Sequence, residues 1–189
     1  LHEPLMVEGV EVQLTVSVGV VLTTKQILST DEMMNAAEYA TYRAGLKPSR
    51  IQLFNHRIAE QLKSHILIQR DIAKAIRDGS IYPKFQPLVC AATEEISGFE
   101  ALARWYHPEL GEVSPGRFIP MAESQEMIIA LGSRILDKSC EFLAQVNRQR
   151  RENGLAPLSV HVNLSSPHFS HSQLLQQIQS VLERHQIEP

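Results

Sequence analysis

The stretch Gly98-Phe99-Glu100-Ala101-Leu102-Ala103-Arg104-Trp105 constrains the chain more than any other. In an extended strand successive side chains point to opposite faces. Glu100, Leu102 and Arg104 therefore share one face, and Phe99, Ala101, Ala103 and Trp105 share the other. The second face is apolar and is expected to pack under helices. The first carries a carboxylate and a guanidinium on either side of Leu102, roughly 13 Å apart at ~3.3 Å per residue. Taken alone, such a strand is equally well a solvated edge strand. The sequence on either side selects between the readings.

Ile81 to Val89, just upstream, reads as a strand, with Pro83 and Pro87 suiting an edge or irregular position. Only the six residues Cys90 to Glu95 separate it from the strand that carries Glu100. A parallel crossover needs a dozen or more residues, so these strands are expected to be antiparallel neighbours. Before them, Ile68, Ile72, Ala75 and Ile76 recur at helical spacing and the pattern stops at Gly79. After them, Ser114 to Glu123 reads as a loop and short helix, and His107-Pro108 as a turn. The longest helix is expected from Ser124 to Arg151. Ile128, Leu131, Ile135, Phe142 and Val146 line one face, and Leu136, Cys140 and Leu143 widen it. So broad a stripe predicts packing over a sheet. Asn153-Gly154 ends the helix, and its cluster Arg148, Arg150 and Arg151 is better read as last-turn cations complementing the macrodipole than as a nucleic-acid contact. Leu158 to Leu164 is the next strand, with Ser159, His161 and Asn163 on its polar face. A last helix is expected from about Ser172.

The first 55 residues form a separate pattern. Val12, Leu14, Val16, Val18 and Val20 alternate with Gln13, Thr15, Ser17 and Gly19, as in a half-buried strand. Ser29-Thr30-Asp31-Glu32 is a capping box. The helix that follows would bury Met33, Ala37, Ala40 and Ala44 and stop at Gly45. A second strand is expected from Arg50 to Phe54, and a connecting segment from His56 to Ser64.

A net charge of −3 gives no electrostatic case for a nucleic-acid polymer as partner. No apolar run approaches the ~20 residues that span a bilayer. Cys90 and Cys140 make neither a disulfide framework nor a metal-ligand pair, and a reduced, cytoplasmic setting is the simplest reading. With Leu1 at the start and no signal peptide, the chain reads as cut from a longer protein, whose missing N-terminal region could tether it to the inner membrane.

Phe85-Gln86-Pro87-Leu88, Gly98 to Trp105, Val113-Ser114-Pro115 with Phe118-Ile119-Pro120-Met121-Ala122-Glu123, and Val160-His161-Val162-Asn163-Leu164-Ser165 occur in that order. This set closely resembles the first half of the EAL domain, the bacterial phosphodiesterase of cyclic di-GMP, over about Ile66 to Pro189. Thr15 to Val20 and Ala37 to Ala44 resemble the C-terminal end of a GGDEF domain, the diguanylate cyclase fold. The resemblances imply an α/β chain: the α+β tail of a GGDEF domain over 1–55, a linker over 56–65, and over 66–189 the N-terminal half of a TIM-barrel-like EAL domain whose first strand is antiparallel. The GGDEF family usually has a phosphate-holding Lys where this chain has Gly45, and its Gly-Arg-Asn turn is replaced by Pro48-Ser49-Arg50. The cyclase function is therefore expected to be degenerate.

By resemblance, Glu100 is catalytic and, with Asn163, a ligand of a Mg²⁺ or Mn²⁺ ion. Oxygen donors suit such hard cations. Gln86 is expected near the guanine or ribose, Leu102 to touch substrate through backbone and packing, and Arg104 to hold a substrate phosphate. Without the resemblance, Asn163 reads as a satisfied turn or rim residue and Arg104 as a surface ion-pair partner of Glu109 or Glu112. His161 reads as a space-filling barrel residue. The activity implied is hydrolysis of cyclic di-GMP to linear pGpG. The other readings are a catalytically inactive EAL domain acting as a cyclic di-GMP receptor, and an interaction scaffold. A homodimer through the EAL domain and an upstream sensor domain are further expectations, as is inactivity of residues 1–189 alone.

Overall fold

The computed structural model describes residues 4–22, 29–170 and 172–188. Its contacts divide the chain into two compact units, Leu1–Leu67 and Ile68–Pro189. No helix among the described residues is long and apolar enough to cross a membrane.

In the first unit, strands β1 (Leu5–Val7) and β2 (Val10–Val12) form an antiparallel hairpin. Strand β3 (Val18–Val20) pairs in parallel with β4 (Ile51–Leu53), and helix α1 (Thr30–Gly45) connects them. The strand expected over residues 12–20 is thus corrected to two short pieces. Val18, Gly19 and Val20 meet a partner strand in β4; residues 13–17 pair with no strand among the described residues. The expected capping box is present, with Glu32 N–H donating to Ser29 Oγ at 3.3 Å and Ser29 N–H to Glu32 Oε2 at 2.7 Å. The Ser29 N–H and, after it, the Ser29 hydroxyl, both donating to Glu32 Oε2, hold the Glu32 carboxyl below its ordinary pKa. Ala40 and Ala44 are buried as expected, joined by Ala36 and Tyr39, while Met33 and Ala37 are half-buried. Helix α2 (His56–Asp78) is continuous, so residues 56–65 are helical, and the division between the units falls within this helix.

In the second unit, Ile68, Ile72, Ala75 and Ile76 of α2 are buried, and the helix stops where Gly79 turns to φ +84°. Strand β5 (Ile81–Val89) runs antiparallel to β6 (Ile96–His107), as the short connection requires. Along its other edge β6 pairs antiparallel with β7 (Gly111–Val113) and in parallel with β8 (Ser159–Val162). The prolines of β5 sit in the strand that ends the sheet, where one edge needs no ladder donors. Helix α3 (Pro115–Ser124) and helix α4 (Ile128–Glu152) follow β7. The long helix expected from Ser124 starts later, because Glu126 turns to φ 57° and Met127 N–H donates back to Ala122 O at 2.7 Å. Helices α5 (Ser166–Phe169) and α6 (Leu174–His185) complete the unit.

The apolar face of the sheet packs as its alternation predicts. Phe142 of α4 stacks on Phe85 with centroids 3.8 Å apart and meets Phe99 edge-on at 5.2 Å. Trp105 is 1% exposed and meets Phe118 of α3 edge-on. Ile68, Ile72, Ile81, Val113, Leu131 and Ile135 join the same core. Fully burying one such aliphatic side chain stabilises the fold by about 1.5–3 kcal/mol. Packing this face against helices leaves the opposite face of β5, β6 and β8 for polar side chains.

The turn expected at His107-Pro108 is present over Pro108 to Leu110, with His107 as the strand residue that enters it. His107 ends β6 and is fully buried. Its Nδ1 accepts from the N–H groups of Glu109 and Leu110 at 3.1 and 3.2 Å, which leaves the proton on Nε2 to bond Asp71 Oδ2 of α2 at 2.9 Å. The side chain thus satisfies the β6–β7 turn and ties the end of β6 to α2.

Candidate active site

Residues directly opposite in paired strands project to the same side of a sheet. Glu100 faces Gln86 on β5 and His161 on β8, so these three side chains form one rung across three strands. Two residues on, Leu102 faces Lys84, and two further, Arg104 faces Tyr82. The expected residues Gln86, Glu100, Leu102 and Arg104 therefore share the polar face.

Asn163 lies just past β8 and reaches back to this rung, its Nδ2 donating to Glu100 Oε1 at 2.8 Å. That bond brings the two expected metal ligands together. It leaves the second Glu100 oxygen and the Asn163 amide oxygen free to bind another group. A carboxylate and a side-chain amide held together carry the oxygen donor types that a hard divalent cation takes. No group of three or more His, Cys, Asp or Glu side chains among the described residues could hold a metal ion.

The backbone that places the pair is built by three devices. Gly98 lies opposite Ser159, and a Cβ there would come within 2.8 Å of the Ser159 carbonyl oxygen; only glycine lets β8 approach so closely. Asn147 of α4 holds the chain entering β8, donating to Leu158 O at 2.9 Å and accepting from Leu158 N–H at 2.8 Å. His168 closes the turn after Asn163: its Nδ1 accepts from Ser165 N–H at 3.2 Å, and its buried ring lies where a Cβ on Gly132 of α4 would collide. Periodicity carries no mark of these three partners. Gly98 and Gly132 are the signals that could have pointed to close approaches.

Arg104 forms no ion pair with Glu109 or Glu112. Its Nη1 donates to Ala103 O at 2.9 Å, and Glu109 pairs with Arg70 instead, at 2.9 Å. The guanidinium is half-buried on the polar face with donors to spare. His161 is exposed beside Glu100 rather than packed among other side chains. Beyond the rung, the Arg70 guanidinium holds the Asp71 carboxyl down to about pKa 2, with the His107 hydrogen bond acting in the same sense. Asp71 therefore stays ionised under the end of β6.

A family model described as the EAL domain matches residues 69–189. The bifunctional diguanylate cyclase/cyclic di-GMP phosphodiesterase MucR of Pseudomonas aeruginosa is 30% identical over 100% of this chain, which covers 27% of that protein. The solved PaMucR phosphodiesterase in its c-di-GMP complex superimposes with a TM-score of 0.59 at 33% identity, over 65% of this chain and 48% of that one. The EAL enzyme Bd1971 in its cAMP- and cyclic-di-GMP-bound form gives a TM-score of 0.62 at 27% identity, over 68% and 35%. The chain spans about a quarter of the length of the curated relatives it matches.

Proposed function

Residues 69–189 of this chain belong to the EAL-domain family, and from that premise we propose that the protein carrying them hydrolyses cyclic di-GMP to linear pGpG by metal-dependent cleavage of one phosphodiester. The observation that carries the reading is the Glu100–Asn163 pair on the polar rung shared with Gln86. The names of the similar proteins, a cyclic di-GMP phosphodiesterase and a phosphodiesterase in complex with c-di-GMP, support the substrate and the reaction.

Glu100 and Asn163 would hold the cation, Mg²⁺ or Mn²⁺. When bound, such an ion supplies Lewis-acid stabilisation of charge on the phosphate and makes water a nucleophile at neutral pH. Arg104 binds a phosphate oxygen through its guanidinium fork. Gln86, opposite Glu100, presents an amide to the guanine or ribose, and Leu102 lies beneath the ligand between Glu100 and Arg104. Two oxygen ligands fall short of the six or so a hard cation takes, so residues 1–189 by themselves bind the metal weakly and turn over nothing.

For residues 1–55 the reading is the end of a GGDEF domain that no longer acts as a cyclase. Supporting it are the β3–α1–β4 arrangement and the alignment of the whole chain with a protein whose name joins both activities. An EAL-mediated homodimer and an upstream sensor domain complete the proposal. The test is incubation of the full-length protein with cyclic di-GMP and Mn²⁺, with separation of the nucleotide products. Accumulation of pGpG is expected. Tight binding without product would make the domain a receptor, and neither binding nor product would remove the reading.

A further inference from the structure

The polar face carries a cation that the site described so far does not use. Lys84 lies on β5 directly opposite Leu102, between Gln86, which faces Glu100, and Tyr82, which faces Arg104. In an antiparallel pair the diagonal neighbours are about 7–8 Å apart, so Lys84 is the diagonal neighbour of both Glu100 and Arg104. It is exposed, and no ion pair among the described residues engages it. The face carries two carboxylates on β6 and β7: Glu112 lies opposite Tyr106, beyond Arg104, and Glu100 is bonded to Asn163 and is the proposed ligand of the cation, so neither is directly opposite Lys84.

The charge of the ligand gives this lysine a role. A cyclic dinucleotide carries two phosphodiesters, each with one negative charge. Arg104, together with the metal ion proposed above, can compensate one of them, the phosphodiester that is cleaved. The other needs a second positive group on the same surface, within a side chain's length of the first. Lys84 and Arg104 are the two basic side chains that β5 and β6 place on this face. A lysine suits the task as a compact charge on a flexible stem, reaching a phosphate whose position is fixed by other contacts.

We propose that Lys84 is the second phosphate-binding cation of the site, so that Lys84 and Arg104 together read the two phosphodiesters of a cyclic dinucleotide. This rests on the phosphodiesterase reading above. It goes beyond it in assigning substrate recognition to β5 through a charge as well as through Gln86. The bland alternative is a solvated lysine on an edge strand, of the kind that discourages edge-to-edge pairing.

The test measures kcat and KM for cyclic di-GMP in the full-length protein and its Lys84→Met and Lys84→Arg variants. Removing binding that ground and transition states share raises KM with kcat little changed. Lys84→Met is expected to raise KM at least tenfold with kcat within about twofold, and Lys84→Arg to restore most of the affinity. An unchanged KM in Lys84→Met, with the wild-type protein active, would overturn the inference and leave the phosphodiesterase reading standing. A wild-type protein that neither binds nor hydrolyses the dinucleotide would overturn both. Loss of turnover in Lys84→Met with no rise in KM would also contradict the assignment. Circular dichroism and a melting curve on the same samples separate misfolding from lost binding, and Lys84→Gln gives a second neutral variant if Lys84→Met fails to fold.

Discussion

Asn163 Nδ2 donates to Glu100 Oε1 at 2.8 Å across 63 positions of sequence. The contact exists because β8 enters the sheet in parallel beside β6 with Gly98 opposite Ser159 and Glu100 opposite His161, which places Asn163 one residue past the strand, from where its amide reaches back to Glu100. Everything proposed for catalysis depends on that register.

Gly98 offers the sharpest test of the register. A methyl group there would meet Ser159 Oγ at 2.6 Å and its carbonyl oxygen at 2.8 Å, so β8 would have to shift. Forcing extra atoms into a packed site costs about 1–3 kcal/mol. Gly98→Ala is therefore expected to lower the denaturant midpoint modestly and to lower kcat much more, because Asn163 moves with β8. Unaltered kcat alongside the expected destabilisation would show that the pair tolerates displacement.

Arg104→Ala is expected to weaken binding of cyclic di-GMP by about 1.5–3 kcal/mol, the range for a hydrogen bond to a charged group. Calorimetry on the Glu100→Ala background, where turnover cannot interfere, reads this directly. Equal affinity with and without the guanidinium would mean that Arg104 serves only its own strand through the Ala103 carbonyl.

The alternation from Gly98 to Trp105, the capping box at Ser29 and the antiparallel pairing of β5 with β6 were all legible in the sequence, because each follows from local periodicity or from a connection too short for any other topology. The order of the expected site residues was legible too. Their juxtaposition was not, since which residue of β5 or β8 faces Glu100 depends on register, and a shift of one residue would turn every side chain to the other face. The turn at His107-Pro108 was legible, but the burial of His107 was not, for a related reason. A His-Pro pair has the composition of a turn, whereas its burial depends on Asp71, 36 positions away. The uniform alternation of residues 12–20 likewise outruns the ladder, because strand length is set by the partner and β4 is short.

Asp71 supplies a pH prediction. Its carboxyl is held down to about pKa 2 in the folded chain by the Arg70 guanidinium and, less strongly, by His107. The unfolded chain takes up this proton first as pH falls. The contribution to stability is therefore complete above about pH 4 and is lost as pH falls towards 2. Urea denaturation across that range is expected to show a shallower acid loss for Asp71→Asn than for the wild type. Superimposable slopes would mean that the Arg70–Asp71–His107 cluster adds no stability in solution.

The most direct measurement is hydrolysis of cyclic di-GMP by the full-length protein and its Glu100→Ala variant in the presence of Mn²⁺. Glu100 is half-buried on a polar face and holds no strand together, so the variant is expected to keep its melting temperature within a few degrees. The account predicts pGpG from the wild type and none above background from Glu100→Ala. Undiminished turnover by a folded Glu100→Ala protein would contradict it.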